Sequence, residues 1–177
     1  MRAFLAKTVE LRRHTDNEGD VLSADGIAAA LEIGRKLESD YAVILSSGAQ
    51  RATQAAACFL AGMGRRVPGG VRVDTRFRSE VEERWKGAYE RAGAGDLASY
   101  EKADPDLVAK ESELFAAALR DLMETLGDGE RALVVGHSPM LEAAVYGLCG
   151  EIIDPLSKGA GVVVMQDDAG YRTDGRR

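Results

Sequence analysis

Ala132-Leu133-Val134-Val135-Gly136-His137-Ser138-Pro139 opens with four consecutive apolar residues and closes with residues that favour the start of a helix. An uninterrupted apolar run has no polar alternation, so both faces of the strand it forms must be covered. Ser138 suits an N-cap and Pro139 a first helical position, predicting a helix that runs to about Cys149. Upstream, Asp104-Pro105 starts a long helix marked by Leu107, Leu114, Phe115, Ala118, Leu122 and Leu126, which stops at Gly127. Nearer the N-terminus, Thr8 to Arg12 reads as a strand with Val9 and Leu11 apolar, followed by a polar loop over Thr15 to Asp20. Ser23 caps a helix whose expected apolar face is Ile27, Leu31, Gly34 and Leu37, with Gly34 allowing close approach to the sheet. Tyr41 to Leu45 gives a buried strand, Ala49 to Ala61 an alanine-rich helix and Val71 to Val73 a short strand. Gly161 to Gln166 pairs with Tyr171 to Thr173 as a final hairpin. Strands alternating with helices predict an α/β fold, a three-layer α/β/α sandwich with a mostly parallel central sheet.

The 177 residues suit a single domain, 1–177. The charged stretch from Arg76 to Arg91 has no clean period, and Gly93, Gly95 and Pro105 follow it, so 76–106 reads as an insert or lid. Apolar residues at 45% and charged residues at 29% exclude disordered and fibrous classes. A net charge of -6 argues against a broad nucleic-acid surface. No apolar run approaches the roughly 20 residues of a membrane span, and Lys7 breaks the opening apolar stretch before it resembles a signal peptide. Cys58 and Cys149 are far apart without a Cys-x-x-Cys spacing, which reads as two reduced core thiols in a cytoplasmic protein.

The chain holds two histidines, His14 and His137, and each follows a strand at its C-terminal end. That edge is where open α/β sheets bind ligands. His137 lies beside a helix start, which attracts anions. Arg13 precedes His14, and Arg51 falls in the first turn of the helix after Tyr41 to Leu45. Singly, such residues are ordinary loop, cap or solvated side chains. Their joint placement suits a doubly charged tetrahedral anion such as phosphate.

Leu11-Arg12-Arg13-His14-Thr15 resembles the Arg-His-Gly strand end of the histidine phosphatase superfamily, which has the phosphoglycerate-mutase-like fold. Ser46-Ser47-Gly48-Ala49-Gln50-Arg51-Ala52-Thr53-Gln54-Ala55-Ala56 resembles that family's Ser-Ser-Pro-x-x-Arg-Ala-x-Gln-Thr-Ala segment. Leu133 to Pro139 is similar to its second-histidine strand, and with Leu22-Ser23-Ala24-Asp25-Gly26 it looks most like the small phosphohistidine phosphatases. The resemblance implies a metal-independent phosphatase without cofactor, in which His14 is the nucleophile and forms a phosphohistidine. Arg13, Arg51 and His137 would bind the phosphate and spread its charge. Val81-Glu82-Glu83-Arg84-Trp85-Lys86-Gly87 resembles the Leu-x-Glu-Arg-x-x-Gly segment and nominates Glu83 as proton donor to the leaving group, with Glu80 and Glu82 as neighbours. Phosphohistidine phosphatases generally manage without this acid. The implied partner is a small phosphorylated substrate or a phosphoprotein, with no nucleic acid or membrane involved.

Three departures set further expectations. Thr15 stands where the family has glycine, which predicts that the loop holding His14 is displaced or uses a different conformation. This motivates a second reading, a phosphate-binding module with weak or no turnover. Gly48 and Ala55 replace a proline and a threonine, and Glu10 and Arg12 share one face of a central strand, pairing with each other or with other partners. A third reading takes His14-Thr15-Asp16 with His137 as an iron-binding facial triad, but the helix-rich alternating pattern does not offer that site's usual β-helix scaffold.

Overall fold

The computed structural model describes residues 5–37 and 40–176. A six-stranded sheet contains β1 (Lys7–Arg13), β4 (Val43–Ser46), β5 (Val71–Val73), β6 (Arg131–Gly136), β7 (Gly161–Asp167) and β8 (Gly170–Arg176) in the order β5-β4-β6-β1-β7-β8. The β5/β4, β4/β6 and β6/β1 pairs are parallel, and β1/β7 and β7/β8 are antiparallel. The polar loop after His14 contains a small hairpin, β2 (Asn17–Glu18) with β3 (Val21–Leu22).

Helices cover both faces, as a central parallel strand requires. On one side lie α1 (Ala24–Lys36) and α2 (Gln50–Met63), packed on Ile44, Leu133 and Val135. The other side carries α3 (Glu82–Ala92), α4 (Leu97–Ala103), α5 (Pro105–Thr125) and α6 (Met140–Cys149), packed on Val9, Leu11 and Val134. Alternation in β6 therefore sends Ala132 and Val134 to one core and Leu133 and Val135 to the other.

The expected faces of two helices need correction. In α1 the buried residues are Gly26, Ala30 and Gly34, while Ile27 is exposed and Leu31 half-buried. Gly34 serves helix-on-helix packing, since a Cβ there would lie 2.4 Å from the Phe59 carbonyl oxygen of α2. Gly62 makes the reciprocal contact, 2.3 Å from the Leu31 oxygen. Two small residues let these backbones meet, and the smallest side chains outrank the largest on that face. In α5, Leu114 faces solvent, whereas Glu111 and Ser112 are buried.

The aperiodic stretch 76–106 holds a 3-10 turn (Thr75–Phe77) and α3 and α4, anchored by Phe77, Trp85, Ala88, Leu97 and Tyr100. Trp85 and Tyr100 meet edge to face at 5.3 Å. Asp104 caps α5 by accepting from the Leu107 amide at 3.1 Å, with Pro105 in the first turn. Ser138 does not cap α6. The helix starts one residue later than the pattern suggests, with Pro139 at the N-cap, and the Ser138 hydroxyl donates instead to Glu142 Oε1 at 2.6 Å. Cys58 and Cys149 are both free and half-buried, each packed against the margin of one core. No helix among the described residues is long and apolar enough to cross a membrane.

Candidate active site

The parallel ends of β1 and β6 deliver His14 and His137 side by side. The His14 amide donates to the Gly136 carbonyl at 3.1 Å, extending the ladder by one residue, and the two imidazole centroids lie 5.3 Å apart. Both rings are nearly buried, at 4% and 5% exposure. His14 Nδ1 lies 2.7 Å from the Thr15 carbonyl oxygen. A carbonyl only accepts, so Nδ1 carries the proton and Nε2 the lone pair. Toward that lone pair Arg51 directs its Nε–H at 3.3 Å.

Arg51 is held from behind by Asp20 in the β2–β3 turn, whose Oδ1 accepts from Nη1 at 2.7 Å. Asp20 Oδ2 also takes the Gln50 amide at the start of α2, at 3.3 Å. Arg13 donates through Nη1 to the Leu156 carbonyl at 2.8 Å, while its buried Nε has no hydrogen-bond partner among the described residues. His137 Nε2 lies 2.7 Å from Ser47 Oγ, and its buried Nδ1 likewise has no partner among them. Two cations, two imidazoles and unsatisfied buried nitrogens converge on one strand edge.

Burial, then the neighbouring charges of Arg51 and Arg13, lowers the His14 pKa to about 4, against a partial offset from the Thr15 carbonyl. Burial followed by Arg51 and His14 lowers His137 to about 3. Both imidazoles are therefore neutral at pH 7. A neutral His14 is the nucleophilic form.

Beside this group opens a cleft of about 260 Å³, with Arg51 and His137 at one end and Glu82, Trp85, Lys86, Tyr89 and Tyr100 along one wall. Glu82, Trp85, Lys86 and Tyr89 follow the i, i+3, i+4, i+7 spacing of one helix face. Glu83, the nominated proton donor, is turned about 100° away from that face by the 3.6-residue repeat and is exposed. Glu80 lines a different depression, with Arg76 and Lys110. Only Glu82 of the three faces this cleft, and it is engaged by Arg78, whose Nε donates to Oε1 at 2.6 Å.

The loop after His14 takes a conformation open to a residue with a side chain. No residue other than glycine has positive φ among the described residues, so Thr15 keeps an ordinary backbone. Its hydroxyl donates to the Gly26 carbonyl at 2.7 Å and ties the loop to α1. Gly48 takes a φ of 92°, which proline, locked near about -65°, cannot adopt. Asp16 accepts from Ser23 Oγ and Lys158 Nζ at 2.8 and 2.6 Å. Its carboxylate is thereby turned to those partners, and no cluster of three or more His, Cys, Asp or Glu among the described residues is arranged to hold a metal. Ser47, Asp20 and Glu142 were not singled out from the sequence. Ser47 stands in the quoted segment before Arg51, and the i, i+4 spacing of Ser138 and Glu142 was a usable signal.

No known family profile matches the chain, and no curated protein matches it. Solved structures match along nearly its whole length. A phosphoglycerate mutase from Bacillus anthracis str. Sterne superposes with a TM-score of 0.74 at 15% identity, covering 97% of this chain and 93% of that one. Phosphoserine phosphatase from Entamoeba histolytica, in complex with 3-phosphoglyceric acid, gives 0.72 at 16%, with 97% and 96% covered. The protein histidine phosphatase SixA, complexed with tungstate, gives 0.65 at 18%, with 96% and 95% covered. The chain has the phosphoglycerate mutase-like α/β fold.

Proposed function

We propose that this protein is a phosphatase that transfers a phosphoryl group from a phosphomonoester to His14 Nε2 and then to water. One observation carries the reading: His14 donates Nδ1–H to its own chain and turns an unprotonated Nε2 toward Arg51. Attack by that lone pair forms the N–P bond as the P–O bond to the leaving group breaks. Arg13, Arg51 and His137 lie where they can neutralise the phosphoryl oxygens as charge spreads over them. Arrival of a dianion raises the proton affinity of the imidazoles beside it, so His137 becomes a better donor once substrate is bound. Water then attacks the phosphohistidine and returns His14 to its starting state.

The neighbours named above are a phosphoglycerate mutase, a phosphoserine phosphatase and a protein histidine phosphatase, which supports phosphoryl chemistry at this edge without choosing a substrate. The ordinary backbone at Thr15 weighs against a pocket that has lost turnover. One observation favours a phosphohistidine substrate as the second reading. Glu83 faces away from the cleft and Glu82, the carboxylate that lines it among the described residues, is occupied by Arg78 rather than free to protonate an alkoxide. Imidazole needs no such help in leaving. Two free cysteines fit a reducing compartment such as the cytoplasm.

The reading is tested by phosphate release from a panel of sugar phosphates, nucleotides, aryl phosphates and a phosphohistidine peptide, with and without chelator. Turnover unaffected by chelator is expected. Tight phosphate or vanadate binding with no turnover of any member would favour the binding module instead.

A further inference from the structure

A glutamate and an arginine lie buried in the middle of the central strand β1, and the reaction described above uses neither. Glu10 is 1% exposed and Arg12 5%, opposite Leu133 and Val135 of β6. Replacing such a pair by apolar residues is often neutral or stabilising, so stability alone does not account for it. The bonds they make point elsewhere. Tyr41 donates its hydroxyl to Glu10 Oε2 at 2.6 Å, and Glu10 Oε1 receives Arg12 Nε at 2.8 Å together with Nη2. This fixes the guanidinium. Its remaining arm, Nη1, donates to the Gly159 carbonyl at 2.5 Å.

Gly159 belongs to the segment that runs back from α6 to β7 across the end of β1. Its amide donates to the His14 carbonyl at 3.1 Å. The backbone there is built for close approach. Gly159 has a φ of 81°, and a Cβ on it would lie 2.7 Å from Ile33 Cδ1 and 3.4 Å from Thr15 Cγ2. At Gly161 a Cβ would crowd the Arg12 guanidinium at 3.2 Å. Fixing the His14 carbonyl orients the His14–Thr15 peptide. The next carbonyl along, that of Thr15, is the acceptor for His14 Nδ1–H.

We propose that Arg12, held by Glu10 and Tyr41, is a positioning residue that sets the tautomer and aim of His14 through Gly159. This rests on the assignment of His14 as nucleophile, but the readout of tautomer does not. The strap from Leu156 to Gly159 carries the same control to Arg13, which donates to the Leu156 carbonyl.

The test compares wild type with Arg12→Met and Arg12→Lys. Nitrogen-15 NMR of the imidazoles reads the tautomer, single-turnover quench with an aryl phosphate reads phosphohistidine formation, and phosphate titration and thermal melts read pocket and fold. Arg12→Met leaves the Glu10 carboxylate buried without its cation, so it is expected to melt below wild type and still to bind phosphate within about threefold. Its His14 should show mixed tautomers, and phosphohistidine should form roughly 10- to 100-fold more slowly, the scale of a small misplacement. Arg12→Lys, which restores one donor, should recover part of the rate. If Arg12→Met does not fold, Tyr41→Phe, which removes one hydroxyl from the brace, is read in the same way with a smaller expected effect. A folded variant with wild-type tautomer and rate would overturn the proposal, as would equal losses in melting temperature, phosphate affinity and rate. Should the wild type phosphorylate no histidine, the phosphatase reading fails, and the tautomer comparison still decides whether Arg12 positions His14.

Discussion

His14 and His137 are the two imidazoles of the chain, and their surroundings make opposite demands on a proton. The Thr15 carbonyl holds one on His14 Nδ1, while burial and Arg51 keep a second from binding. The acid limb of kcat/KM, corrected for the substrate's own ionisation, should therefore fall near pH 4, and a limb at 6.5 would show that the ring titrates as an exposed histidine. Stability has the same sign. Unfolded histidines bind protons near 6.5 and the folded ones only near 4 and 3, so the unfolded state holds more protons in between. Stability should be full above about pH 6.5 and fall as pH drops toward 4. Urea midpoints at pH 7 and 5 check this, and the H14N/H137N double variant should lose most of the difference. At Arg51, substitution by Ala removes a charge proposed to touch both ground state and transition state, so vanadate affinity and turnover should drop together. An unchanged vanadate affinity would place Arg51 outside the phosphate site.

At the scale of elements, strand ends and helix faces decide what a residue can reach. The positions of His14 and His137 were legible because each sits one residue beyond a strand, and that of Arg51 because it opens the helix after another, so direction follows from topology. Glu83 was misplaced because a charged stretch without a clean period does not reveal which face of α3 meets the core. Trp85 and Ala88 settle that face, and Glu82 follows from them. Glu82→Gln should therefore slow alkyl phosphates by roughly 100-fold, and aryl phosphates much less, if Glu82 is the proton donor, while Glu83→Gln leaves both unchanged. Equal rates in wild type and Glu82→Gln would support a leaving group that needs no acid. Helix pairing was also hidden. Gly34 reads as a point of approach to the sheet, and Gly62 falls just past a helix expected to end at Ala61, yet the two are where α1 and α2 touch. Gly34→Ala forces a methyl against a backbone oxygen and should cost about 1–3 kcal/mol by urea unfolding, with little effect on the site's chemistry.

For the molecule as a whole, alternation of apolar strands and helices was enough to anticipate the three layers, since each buried strand demands cover on both faces. The polar loop after His14 concealed the β2–β3 hairpin because two-residue strands carry no period. The long-range brace from Tyr41 to His14 was illegible for another reason. Glu10 and Arg12 announced a buried pair, but only the strap returning from α6 shows what the pair holds. The central claim is that phosphate passes through His14. The most direct measurement is acid-free quenching of the enzyme with an excess of aryl phosphate, followed by peptide mass mapping of wild type and His14→Ala. One phosphoryl group on the peptide containing His14, absent from a His14→Ala variant that folds normally and does not turn over, is the predicted result. Undiminished hydrolysis by His14→Ala, or phosphate on any other residue, would contradict it.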